Sequence, residues 1–341
     1  MREIKARVDV IRAGAVFCEL LFAEPPRIDA RADAEIHVSM QGTFLRRDDV
    51  NWLSDELRPI LTVNGADWPI ATMPIATLRD GYAENGTRTV ELTAYDRCLL
   101  LKQTRAESRI FFASGTSYLT ALQQLLAAAG ITLIIAAETD AALATDREWA
   151  IGDDYLTIVN TLLSEINFNP VHFDALGRAL LQPVTDPDVE RIDHDYKPSA
   201  FSILRRPATE EIDAFDAPNI FVVICGNPEL GTPLVARAEN DNPLSSLSTI
   251  RRGRRITSVV TVDNTAGQSE LNAYAQRLAT ESMLRSRTVT ISTGVEGGHG
   301  FRDSVALTHP DLGGIYVETA WSMDLRAGGE MRHTLQRNIL V

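Results

Sequence analysis

Cations, aromatics, cysteines and long apolar runs are all scarce in this chain, and each scarcity removes a class of function. Lys and Arg number 33 against 46 Asp and Glu, a formal net charge of −13 over 341 residues. A protein that reads DNA sequence needs a basic face, so the balance argues against that class. It is compatible with ordinary solubility and with a surface that DNA slides past. Aromatics make up 6% of the chain. Its four tryptophans, Trp52, Trp68, Trp149 and Trp321, are too dispersed for a sugar-binding platform and read as core or interface anchors. The three cysteines, Cys18, Cys98 and Cys225, lie far apart, each inside an apolar run (VFCELLF, DRCLLL, VVICG). That pattern predicts buried thiols rather than a disulfide or metal framework. No apolar run approaches the ~18 residues that span a bilayer. The opening MREIKARVDVIRAG alternates charged and apolar residues and lacks the apolar centre of a secretory signal, so synthesis in a cytoplasm is expected.

Catalytic signatures are missing as well. There is no H-E-x-x-H and no G-x-S-x-G. His299, Asp303 and His309 cluster in GGHGFRDSVALTHPD, but their spacing matches no zinc signature. They read as turn residues of a loop between strands. The acidic run Asp186, Asp188, Glu190, Asp193, Asp195 lacks the central glycine of a calcium loop and reads as a solvated linker. The pairs Gly297-Gly298, Gly313-Gly314 and Gly328-Gly329 sit at strand ends, which makes them turns rather than phosphate cradles. No catalytic residue, metal ligand or cofactor is expected.

What is present is a succession of short strands. From residue 1 to about 105 the pattern alternates with period two, broken by turn residues. Asn64-Gly65 and Asn85-Gly86 suit tight hairpins. No helical stretch is convincing in this part, although Asp48–Leu57 has room for one turn or two. The pattern changes near residue 105. Leu119, Leu122, Leu126 and Ala129 recur at helical spacing, with Gly130 after them; Tyr155, Val159, Leu162 and Ile166 do the same behind Asp153-Asp154. Val171–Asp174 and Arg178–Gln182 read as a hairpin. Residues 201–341 return to strands, interrupted by one amphipathic helix, Ser269–Leu284. The expected fold is mainly β with an α+β insert: β-barrel domains at 1–105 and 201–341 that superpose on each other, and a small helix–hairpin domain at 106–200.

The order of elements in the second half carries a resemblance. AENDNPLSSLSTIRRGRRI is followed by the helix SELNAYAQRLATESM, the strand RTVTISTG, and DSVALTHPDLGGIYVETAWSMDLRAGGEMRHTLQR. This order resembles the trimeric baseplate hubs of phage and phage-derived tails, the XkdQ/YqbQ-like proteins related to the lower half of the type VI secretion spike. WAIGDDYLTIVNTLLSEINFNPVHFDALGRALLQP resembles their helix-plus-hairpin insertion. The match covers about residues 110–341; the first hundred residues fit by fold pattern alone. The resemblance implies two tail-tube-like barrels per chain and a homotrimer joining a six-fold tube to a three-fold spike around a central channel. Implied partners are the tail tube protein, a spike or tail-tip protein and other baseplate proteins. DNA or a tape-measure protein would pass through the channel without sequence-specific binding. The implied location is the tail baseplate of a virion or a phage-like contractile injection particle.

Candidate interface residues follow from charge. Arg251, Arg252, Arg254 and Arg255 form the one dense basic cluster, suited to bidentate pairing with a neighbour's carboxylates. Glu270, Gln276, Arg277 and Glu281 occupy the polar face of the 269–284 helix, expected to point away from its own barrel. Two other readings are a tail-associated peptidoglycan hydrolase and a receptor- or carbohydrate-binding tail protein. The first is disfavoured because the chain ends directly after the hub-like strands. The second calls for aromatic clusters on loops that are instead mostly Gly, Asp, Asn and Pro.

Overall fold

The computed structural model describes residues 2–184, 191–199, 202–211, 217–226, 233–285 and 288–337. Strands in chain order begin with β1 (Ile4–Arg12), β2 (Ala15–Leu20), β3 (Phe22–Arg31), β4 (Val38–Leu45), β5 (Glu56–Val63), β6 (Ala66–Pro69), β7 (Met73–Tyr82) and β8 (Arg88–Tyr95). The middle of the chain holds α1 (Cys98–Gln103), β9 (Ile110–Phe112), α2 (Tyr118–Ala128), β10 (Ile134–Ala136), β11 (Arg147–Trp149), α3 (Tyr155–Glu165), β12 (His172–Phe173) and β13 (Ala179–Leu181). Then come β14 (His194–Tyr196), β15 (Leu204–Glu211), β16 (Ile220–Cys225), β17 (Leu234–Glu239), α4 (Thr249–Arg252), β18 (Thr257–Val262) and α5 (Gln268–Arg285). The chain closes on β19 (Thr288–Gly294), β20 (Ser304–Leu307), β21 (Gly314–Asp324) and β22 (Glu330–Arg337).

The architecture is mainly β, with an α+β insert between strand-rich ends. Asn64 and Gly65 both adopt positive φ, 50° and 83°, and close β5 onto β6 as the Asn-Gly pair predicts. At Asn85-Gly86 only the glycine is left-handed, in a longer loop. Asp48–Leu57 forms turns rather than a helix, and the helical segment of this region is α1, with Cys98, Leu99 and Leu101 buried. In the insert, α2 and α3 pack together, and Asp154 caps α3 by accepting from Thr157 N at 2.9 Å. The hairpin β12–β13 forms as expected and takes β10 as a parallel neighbour.

The two strand-rich ends are not separate sheets. One hydrogen-bonded path runs β15-β19-β22-β21-β3-β4-β8-β7-β5-β1-β2, with the two ends meeting at the antiparallel pair β3–β21. Their interiors meet in part, while Val289, Ile291, Val305, Leu307, Tyr316 and Leu335 form a separate C-terminal cluster. Val295, Trp321, Met323, Leu325 and Met331 from the C-terminal end join the cluster around Val8, Met40, Phe44 and Leu57. The pairing leaves neither β3 nor β21 as a free edge.

The 269–284 helix also differs from expectation. It does not serve mainly the strands at the C-terminal end. Leu271, Ala275 and Ala279 of α5 bury against β16 and β17 of a separate three-stranded sheet, β17-β16-β18, around its own small core. The short apolar run of β16 looks the same in sequence whichever sheet it joins, so periodicity alone assigns it to either.

Candidate functional site

The densest group of ionisable side chains lies where β14, β19, β21 and β22 meet the loop after β19. Strand β21 places its Glu318. Tyr316 and Glu318 face inward with even spacing; a register shift between Glu318 and Ala320 then moves Trp321 and Met323 to the same interior. The bulge therefore lets one strand bury a carboxylate and a tryptophan on one face. Alternation along β22 puts Met331, His333 and Leu335 inward. Glu318 ends between two imidazoles. Its Oε2 accepts from His299 Nδ1 at 2.6 Å and its Oε1 from His333 Nδ1 at 2.5 Å. A carboxylate only accepts, so both rings carry their proton on Nδ1. The Tyr196 hydroxyl meets His299 Nε2 at 3.1 Å, and Thr293 Oγ1 meets His333 Nε2 at 2.8 Å. Beside them, the His194 ring stacks on His299 with centroids 3.7 Å apart and 4° between planes, and its Nε2 reaches Asp303 at 3.2 Å.

The electrostatics follow from burial and these bonds. Burial alone would raise the Glu318 carboxyl, but the charge and hydrogen bonds of His299 and His333 hold it at about 2. Burial pulls His333 down, and Glu318 only partly compensates. Burial also works against the charged form of His194, but Asp303, Glu318 and Glu296 together outweigh it and raise that ring. Burial, with Glu296 and Glu318 nearby, pushes the Tyr196 phenol far above its usual range.

The sequence reads His299, Asp303 and His309 as turn residues. That holds for His309, whose Nδ1 accepts from the Asp311 and Leu312 amides. It fails for His299, whose side chain is 1% exposed. His194, Glu318 and His333 belong to no sequence motif, although the period-two pattern of β22 already places His333 on an apolar face. Proximity invites a metal reading, since His299, Glu318 and His333 offer close donor atoms. The geometry opposes it. Two donors on one Zn²⁺ at ~2.1 Å in a tetrahedron stand about 3.4 Å apart, whereas these nitrogens and oxygens share hydrogens at 2.5–2.6 Å. His194 and His299 lie in parallel stacked planes, so their in-plane lone pairs cannot converge on one ion. His299 and Glu318 border the cavity described below, with side chains 1% exposed and their polar atoms engaged with one another.

The same loop makes a joint between the three parts of the chain. The Phe301 ring meets His37 of the first strand-rich end edge-on and stacks on His172 of the insert, with centroids at 4.9 Å and 4.3 Å. Gly297 and Gly298 let Trp68 of β6 lie against the loop: a Cβ on Gly297 would come within 2.4 Å of Trp68. A cavity of about 490 Å³ sits here, bordered by Trp68, His172, Phe301 and Trp321. The buried Trp321 Nε1 has no hydrogen-bond partner among the described residues.

The expected interface residues divide. Arg251 and Arg254 are exposed. Arg255 pairs with Glu239 at 3.2 Å, and Arg252 donates to Ala217 O at 2.7 Å. Arg277 and Glu281 do not point away from the molecule. With side chains 15% and 22% exposed, they border a cleft between α5, the first strand-rich end and the C-terminal strands. Arg277 also lies over the Tyr274 ring. Glu270 is half-buried at the start of α5. Of the cysteines, Cys98 and Cys225 are buried and Cys18 is half-buried, all three as free thiols. In the acidic run, Asp193 accepts from Ser304 N and Asp195 pairs with Lys197, beside and within β14, while Asp186, Asp188 and Glu190 lie outside the described residues.

No protein-family model matches the sequence, and no curated protein matches it. Solved structures do match over nearly the whole chain. A tail protein from Neisseria meningitidis MC58 superposes with a TM-score of 0.70 at 15% identity, covering 98% of this chain and 97% of its own. The 43 kDa tail protein of prophage MuSo2 from Shewanella oneidensis gives 0.67 at 10% identity, covering 98% and 99%. An E. coli component of the type VI secretion system, described as structurally similar to tail proteins of bacteriophage T4, gives 0.51 at 12% identity, covering 98% and 76%. The chain therefore has the fold of these tail proteins.

Proposed function

We propose that this chain is a structural baseplate hub of a phage tail or a phage-like contractile injection particle. The observation that carries the reading is the whole-chain match to tail proteins, which takes in both strand-rich ends, the insert and the α5 unit together. In this reading β1–β8 (within 1–105) and the C-terminal strands (within 201–341) are the tube-like units and 106–200 is the insert. Three copies would present six such units to the tube and a three-fold face to the spike, leaving a channel for DNA or tape-measure protein. The role is geometric and non-enzymatic, and it needs no cofactor. Arg251 and Arg254 are the side chains proposed to meet a carboxylate-bearing neighbour, another copy or a tube or spike protein.

The test is a deletion of the gene with electron microscopy of the resulting tails, beside the solution mass of the purified protein. The expected results are tubes that lack a baseplate and a species about three times the 37.5 kDa chain, alone or once tube protein is added. Complete tails without the protein overturn the reading.

A further inference from the structure

The three-stranded sheet β17-β16-β18 ends on β18, which pairs with β16 alone among the described residues. Its sequence, TSVVTV, holds no charge, no proline and no glycine, and all but Ser258 are β-branched. Thr257, Val259 and Thr261 are exposed. Elsewhere the chain blunts such an edge. At one end of the long sheet, β15 carries Pro207, exposed charges at Arg205, Glu210 and Glu211, and a register shift between Arg205 and Thr209. On the far side of the small sheet, β17 carries Arg237 and Glu239 and lies against α5, whose Gln268 Nε2 donates to Val235 O at 3.1 Å. We propose that β18 is a docking edge that takes an extended, acidic-ended segment of a partner protein as a fourth strand, with the carboxylates of that segment against Arg251 and Arg254.

The register defines what such a strand would touch. Three rows of side chains face away from α5: Glu239–Ile220–Thr257, Arg237–Val222–Val259 and Val235–Ile224–Thr261. In the first row Ile220 is buried and Glu239 is held by Arg237, Arg255 and Thr249. The other two rows are open, with Val235 54% and Val259 60% exposed and Val222 and Ile224 half-buried. On the opposite face Phe221, Val223 and Cys225 pack against Leu271, Ala275 and Ala279 of α5, with Val260 and Val262 beside them. An added strand therefore meets Val259 on one face and Val260 and Val262 on the other, so apolar, β-branched side chains suit both of its faces. Its backbone joins the ladder that β18 leaves open.

Charge says which segment fits. Arg252 and Arg255 are turned onto the protein itself, through Ala217 O and Glu239. Arg251 and Arg254, a few residues ahead of β18, are exposed and make no ion pair among the described residues. In a chain of net charge −13, two such guanidinium groups at the head of an uncharged edge select carboxylates and can grip them bidentately. That the partner is a tail protein rests on the hub reading; the acidic, strand-forming chemistry rests on the edge itself.

The purified full chain tests this with two synthetic peptides. Both alternate valine and threonine; one ends in a pair of glutamates, the other in a pair of lysines. Fluorescence anisotropy of the labelled peptides reads the affinity, and hydrogen exchange of the protein reads the place. The glutamate-ended peptide is expected to bind roughly tenfold or more tighter than the lysine-ended one, by a margin that narrows as salt is raised, with new protection confined to 257–262 and β16. Arg251→Ser with Arg254→Ser should erase the difference between the peptides. Val259→Lys puts a charge on the open edge and should abolish binding, while circular dichroism and melting stay unchanged because the position is exposed. Thr261→Lys takes its place if that variant does not fold. No binding, equal binding of the two peptides, or binding that survives the lysine substitution overturns the proposal. So does a solution mass that falls on Val259→Lys, since a second copy then holds the edge. A protein that binds the glutamate-ended peptide as described but is absent from tails keeps the docking edge and loses the hub reading.

Discussion

Replacing Glu318 with alanine removes the one acceptor that two buried imidazoles share. His299 and His333 are 1% and 0% exposed in their side chains, so in the folded protein both N–H groups depend on the carboxylate. Each orphaned N–H costs about 1–3 kcal/mol. The two imidazoles hold the carboxyl at about 2 against an ordinary 4.5. Because the folded value is depressed, this contribution is fully present above 4.5 and is lost as pH falls toward about 2, so pH 7 is where it is read. A loss of ~4 kcal/mol is therefore expected for Glu318→Ala. Glu318→Gln keeps one acceptor and offers one donor, so one histidine must change tautomer; His299 can do this by donating to the Tyr196 oxygen. A loss of ~1–2 kcal/mol is expected there. With ~2 cal/mol/K of unfolding entropy per residue, the alanine variant should melt about 5–6 °C below wild type and the glutamine variant about 2 °C below. Differential scanning calorimetry at pH 7 measures both. An alanine variant that melts within about 1 °C of wild type, or that is no worse than glutamine, refutes the network as a stabilising element.

Other outcomes follow from single contacts. Arg97 holds β5 to the insert through both oxygens of Glu56, at 2.8 and 2.6 Å, and through Gly177 O at 2.8 Å. Arg97→Ala should cost about 2–4 kcal/mol by chemical denaturation, discounted from the fully buried case because Arg97 keeps 19% exposure. Gly297→Ala should push Trp68 off the loop at about 1–3 kcal/mol, seen as a red shift and quench of tryptophan fluorescence that is absent from a Trp68→Phe background. Arg251→Glu with Arg254→Glu should leave circular dichroism and melting unchanged, within roughly 0.5 kcal/mol, because both side chains are exposed. Incorporation of that variant into tails should fall, since like charges at an interface cost several kcal/mol, and normal incorporation would show these arginines to be plain surface.

Local rules make much of the fold legible. Asn64-Gly65 announces its hairpin because both residues tolerate positive φ, and Asp154 announces α3 because a carboxylate ahead of an apolar stripe caps a helix. The rules stop where pairing is non-local. Nothing in the alternation of β3 or β21 says that Arg31 lies opposite Ala320, yet that register joins the two ends of the chain. Strand periodicity fixes which side chains share a face and leaves open which strand lies beside it.

The candidate site is hidden for the same reason. His37, His172, His194, His299 and His333 are scattered over nearly the whole sequence, and each alone looks like a turn residue or a half-buried polar group. Their common feature is the loop after β19, which carries His299 and meets the other four only because β3–β21 pairing brings the first strand-rich end against the C-terminal strands while the insert folds over the junction. A local signal for part of it does exist. His333 alternates with Met331 and Leu335, and an imidazole on an apolar strand face requires a partner. Carried across the sheet, that requirement calls for a buried acceptor on a neighbouring strand. Glu318, inside the apolar stretch GIYVETAW, is the carboxylate that β21 provides.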